Sequence, residues 1–67
     1  MRLYVIEDVN YKEIYQMYVD VLLPIDSHIM VGLTEYKIKD YFYSNNKYYM
    51  IVRRIATYDV SYSDKIF

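Results

Sequence analysis

Tyr41, Tyr43 and Tyr48, with Met50 beside them and Lys37, Lys39 and Arg54 on the flanks, are the residues whose types and spacing could do chemistry. The chemistry they suit is recognition, not bond making. Tyrosine offers a broad apolar ring with a polar tip, and Tyr, Met and Arg are enriched where proteins dock on one another. The same set has the parts of a single-strand platform, rings on which bases stack and cations that meet phosphates. A third reading assigns no ligand and lets the rings cover the outside of a sheet. Eleven of the 67 residues are Tyr. A chain this short buries only ~60% of the surface its unfolded form exposes, so some of that aromatic surface is expected to meet a partner.

Other sources of chemistry are thin. With no Cys there is no disulfide, thiolate metal site or cysteine nucleophile, and His28 is the single imidazole. Nothing is spaced to complete a zinc site around it, so no metal or cofactor is expected. Ser27 and His28 adjoin in sequence, but neighbours on a strand point to opposite faces, so they do not make a nucleophile and its base. Gly32 stands alone and builds no phosphate-cradling loop. Glu7-Asp8 and the acids around them are too sparse to imitate a phosphate backbone and read as a solvated face. An enzyme is not expected.

The elements that must hold the tyrosines are the arms of a β-hairpin from about Glu35 to Ile55. β-branched and aromatic residues fill both arms, and Asn45-Asn46 between them tolerates the left-handed backbone that a two-residue turn requires. Such a turn sets Tyr43 opposite Tyr48, Phe42 opposite Tyr49, Tyr41 opposite Met50 and Asp40 opposite Ile51. One face then carries Tyr36, Ile38, Phe42, Tyr49, Ile51 and Ile55 and reads as core. The other carries Tyr41, Tyr43, Tyr48, Met50 and Val52, with Lys37, Lys39 and Arg54 at its far end, and reads as the binding face. Arg53 falls diagonal to Asp40 and is expected to pair with it. A bulge at Lys39 and Asp40 would exchange some of these assignments.

The first third has two readings. As a helix over about 11–23, Asn10 caps, Glu13 closes a capping box, and Tyr11, Ile14, Tyr15, Tyr18 and Leu22 form a stripe ended before Pro24. As a strand, Tyr15, Met17, Val19 and Val21 alternate with Gln16, Tyr18 and Asp20. The abundance of Tyr and Val, the lack of Ala, and a turn at Asp8-Val9-Asn10 after an opening strand from Arg2 to Glu7 favour the strand. Pro24 to Ser27 reads as a turn, His28 to Gly32 as a third strand, and Tyr58, Val60 and Tyr62 alternate as a closing or edge strand. The expected fold is therefore all-β, a single domain over 1–67, built as a small antiparallel barrel or strongly curved sheet of five to six short strands. The alternative is an α+β sheet carrying one helix.

Charge and composition bound the partners. Residues 1 to 26 hold Arg2 and Lys12 against Glu7, Asp8, Glu13, Asp20 and Asp26, while residues 27 to 55 hold Lys37, Lys39, Lys47, Arg53 and Arg54 against Glu35 and Asp40. The two parts should attract each other, across the fold or across a dimer. A formal net charge of −1 argues against a general nucleic-acid binder. No stretch approaches the ~20 apolar residues of a membrane span, and the run Leu3 to Ile6, broken at Glu7, lacks the form of a signal peptide. Ile, Lys, Asn, Tyr, Phe and Met supply 33 of the 67 residues, as in an AT-rich gene of a phage or mobile element. The expectation is a phage-like, cytoplasmic protein-binding module of a bacterial host cell. It would dock its Tyr-rich face on a host protein to inhibit or redirect it, and a homodimer is expected because small chains without staples need added burial. Single-stranded nucleic acid is the alternative partner.

Overall fold

The computed structural model describes residues 1–58, and the expected strand over Tyr58 to Tyr62 falls largely outside them. Five strands, β1 (Arg2–Glu7), β2 (Glu13–Tyr18), β3 (His28–Val31), β4 (Thr34–Ser44) and β5 (Lys47–Thr57), form one sheet in the order β2-β1-β5-β4-β3. The sheet curls strongly into a half-barrel, and the fold is all-β as the strand patterns indicate. The first third is a strand, so the helical alternative is overturned. Asn10 does not cap a helix. Its Oδ1 accepts the Lys12 amide at 3.0 Å and tightens the β1–β2 turn instead. Three of the strand pairings are antiparallel, but β1 lies parallel to β5, joining Leu3–Glu7 to Tyr48–Val52. The sheet is thus mixed, with the opening strand inside it between β2 and β5.

The β4–β5 hairpin turns at Asn45 and Asn46, whose φ of 51° and 63° make the left-handed pair that two-residue hairpins favour. The register is the one the turn dictates down to Asp40 opposite Ile51; beyond it Lys39 is an extra residue and Ile38 meets Val52. That one-residue bulge swaps the faces of β4. Tyr36 and Ile38 share the inner face with Tyr41 and Tyr43, although their numbers differ in parity. The core on this inner face joins Leu3 and Val5 of β1, Tyr36 and Ile38 of β4, and Met50 and Val52 of β5. Ile14, Met17, Val19, Ile29 and Val31 pack around it from the two edges. Phe42, Tyr49, Ile51 and Ile55, expected inside, lie on the outer face. There Tyr49 stacks on Phe42 at 4.7 Å and leans on Tyr4 at 5.7 Å.

The expected attraction between the acidic and basic parts operates within the fold. Arg54 pairs with Glu7 at 3.1 Å, Arg53 with Asp8 at 3.0 Å and Lys37 with Asp26 at 3.5 Å. Arg53 therefore does not meet Asp40, whose Oδ1 instead accepts the Tyr41 amide at 2.8 Å. The cause is the parallel pairing, which brings the end of β1 alongside the arginines of β5.

One backbone position is strained. Tyr11 closes the β1–β2 turn at φ 53° while its side chain is 67% exposed. A non-glycine residue there costs on the order of 1 kcal/mol, and little packing offsets it. Tyr11→Gly is expected to raise the unfolding free energy by about 1 kcal/mol, read as a higher urea midpoint at unchanged slope.

Candidate protein-binding face

Tyr43 and Tyr48 sit opposite one another next to the hairpin turn, their ring centroids 4.7 Å apart and tilted by 55°. They stand 57% and 44% exposed at the open end of the inner face, alongside Leu3 of β1 and one inward position beyond Met50. Tyr43 donates its hydroxyl to Asn46 Oδ1 at 3.0 Å, which fixes the ring against its own turn. Tyr41, one turn of the pleat deeper, is half-buried and donates its hydroxyl to the Leu23 carbonyl at 2.7 Å. Burial pushes its phenol above the ordinary value.

That bond locates a segment the tyrosine pattern alone does not reveal. β2 and β3 lie on opposite edges of the sheet, so residues 19–27 must cross it. Four strand spacings amount to about 19 Å before curling, which nine residues span with slack enough for the turn closed by the Ser27 amide on the Pro24 carbonyl. The crossing is tied at its start by Val19, paired through its backbone with Met1, and at its end by Asp26 and Ser27, paired with Ile38. Between these ties Leu23 passes Tyr41, and Val21, Leu22, Leu23 and Ile25 are all exposed. Val21-Leu-Leu-Pro-Ile25 is the apolar run that sequence reasoning spends on a helix end and a turn. Its signal was the run itself, too long and too apolar for an ordinary surface loop.

The other expected site residues do not join this cluster. Met50 is 0% exposed and belongs to the core, where it joins Leu3, Val5, Tyr36, Ile38 and Val52. Lys37 projects from the outer face and is held by Asp26, and Arg54 is held by Glu7. Lys39 occupies the bulge. The tyrosines and the cations are thus separated, and two of the cations expected to steer a partner, Lys37 and Arg54, are engaged in holding the fold.

A second cluster lies at the far end, on the outer face. Glu35 accepts the Tyr58 hydroxyl at 2.5 Å and faces His28 Nδ1 at 2.5 Å. The hydrogen bond from Tyr58, and after it His28, hold the Glu35 carboxyl below its ordinary range, and Glu35 in turn raises the Tyr58 phenol. A depressed carboxyl contributes stability that is present above its unfolded pKa and lost as pH falls through its folded one. Tyr58→Phe is therefore expected to shift the Glu35 titration upward, followed by carbon-detected NMR, and to lower stability at neutral pH while shrinking the part lost on acidification, so that variant and natural sequence converge once Glu35 is protonated in both.

Among the described residues no group of three or more His, Cys, Asp or Glu could hold a metal ion, and no helix is long and apolar enough to cross a membrane. No family model, curated protein or solved structure matches the chain.

Proposed function

We propose that this chain is a small protein-binding module that docks the Tyr43–Tyr48 end of its inner face, together with the Val21–Ile25 crossing segment, on a larger protein. The observation that carries the reading is an aromatic pair left exposed on the face that Tyr41 ties to a run with four exposed aliphatic residues, the kind of apolar surface that marks a docking site. Tyr41 ties the two parts together through Leu23. The mechanism is occlusion: rigid rings and a tethered apolar strap cover a surface of the partner and so block or redirect it. The AT-rich composition supports an origin in a phage or mobile element and a bacterial host protein, met in the cytoplasm, as the target. Single-stranded nucleic acid is disfavoured, because Lys37, Arg53 and Arg54 are each paired with a carboxylate and stand apart from the exposed rings.

The test is an affinity capture by tagged protein from lysate of a low-GC bacterium, with and without nuclease, beside capture by the Tyr43→Ala and Tyr48→Ala variants. One host protein held with and without nuclease by the natural sequence, and released by both variants, supports the proposal. Capture that disappears with nuclease, or that ignores both substitutions, overturns it.

A further inference from the structure

The two edges of the sheet are not equally protected. β3 spans only His28–Val31, and the free part of the β4 edge is broken by the Lys39 bulge, with Asp40 capping the Tyr41 amide. Short edges, charges and bulges are the usual guards against strand addition. β2 has few of them: its one irregularity lies at Ile14, and Ile14-Tyr-Gln-Met-Tyr-Val19 contains no charge, no Pro and no Gly. Residues of high β-propensity make up most of it, the composition of a segment that readily accepts another strand.

The direction of its backbone groups follows from bonds at the start of β1. Val19 donates its amide to the Met1 carbonyl at 2.9 Å and accepts from the Met1 ammonium at 3.1 Å, so this pair faces inward. Antiparallel pairs alternate, which makes Leu3 with Met17 and Val5 with Tyr15 the next inward pairs. Gln16 and Tyr18 therefore aim their N–H and C=O groups away from β1, where no described residue meets them.

We propose that the outer edge of β2 pairs with β2 of a second copy of this chain, antiparallel about a twofold axis at Gln16. The register is self-complementary. Gln16 meets the partner's Gln16 through both backbone bonds, and Tyr15 covers the partner's Met17 on the inner face. No like charges are set opposite one another, and two five-stranded half-barrels join into one continuous sheet. A second copy is the favoured occupant because the isologous register uses the same uncharged row twice, and because a core of this size, with no disulfide to close it, needs further burial. The described chain ends at Tyr58, bonded to Leu33 beside the opposite half of the sheet. The inference does not depend on the docking face, which lies on other residues.

Sedimentation equilibrium over a wide concentration range, with amide hydrogen exchange on the same samples, tests it. The expected result is a dimer in which the Gln16 and Tyr18 amides are protected. Gln16→Pro removes an outward donor without touching the ladder to β1, and raises the dimer dissociation constant by about 100-fold, since the lost bond occurs twice across the axis. Should that variant not fold, Gln16→Lys serves in its place, because it sets two like charges opposite one another at the axis. A monomer at all concentrations overturns the proposal, whether or not those amides are protected. A dimer that survives the folded variant, or one with unprotected Gln16 and Tyr18 amides, overturns it equally.

Discussion

Met50→Ala is expected to lower the unfolding free energy by about 2–5 kcal/mol, the range for removing a fully buried long side chain from a packed core. A domain of this length holds on the order of 3–10 kcal/mol in all, so the variant should be partly unfolded at room temperature. The physical reason is placement. Met50 lies at the middle of the central strand β5, between β1 and β4, beneath the inner face, and is fully buried beside Leu3, Val5, Ile38 and Val52. Met50→Leu keeps the volume and should cost less than about 1.5 kcal/mol. Urea unfolding followed by circular dichroism separates the two. A residue at a docking surface would behave otherwise, with Met50→Ala changing stability by no more than about 0.5 kcal/mol while weakening only the partner.

Tyr43→Ala and Tyr48→Ala should show the reverse pattern. Each is expected to weaken the docked complex by about 2 kcal/mol or more, roughly 30-fold, while the fold stays intact. Their rings contribute only about 0.2–1 kcal/mol to the hairpin as a cross-strand pair. Because the rings touch, the double variant should lose less affinity than the two single losses combined. Isothermal titration against the captured partner reads the affinities, and thermal melts read the fold. Two variants that bind as tightly as the natural sequence would remove the hot-spot assignment, and two that unfold would make the pair structural.

The sequence carried the hairpin, its turn and its register well, because Asn45-Asn46 and the strand-forming residues around them act locally. It also carried the pairing of the acidic first part with the basic second part, since charge balance survives ignorance of geometry. It could not choose the buried face of β5. Tyr48, Met50 and Val52 alternate with Tyr49 and Ile51, so both faces are apolar, and the choice falls to the distant Leu3 and Val5 packing beside them. The Lys39 bulge then carries the inversion into β4. The separation of the cations from the tyrosines follows from the same pairing, since Glu7 and Asp8 reach Arg54 and Arg53 only when β1 runs parallel to β5.

The parallel pairing of β1 with β5 also orders events in time. Of these five strands, β1 is synthesised before the others and waits longest for β5, because Asp8 and Arg53, at the far end of that pairing, are 45 positions apart. Closing a loop of that length costs ~3 kcal/mol before any contact repays it, whereas the β4–β5 hairpin closes through two residues. The hairpin is therefore the expected nucleus, and the β1–β2 unit docks on it late. Until β5 has emerged, the uncharged Ile14–Val19 segment has neither a completed sheet beside it nor a core beneath it, and synthesis rather than the mature state is when this chain is most exposed to mispairing.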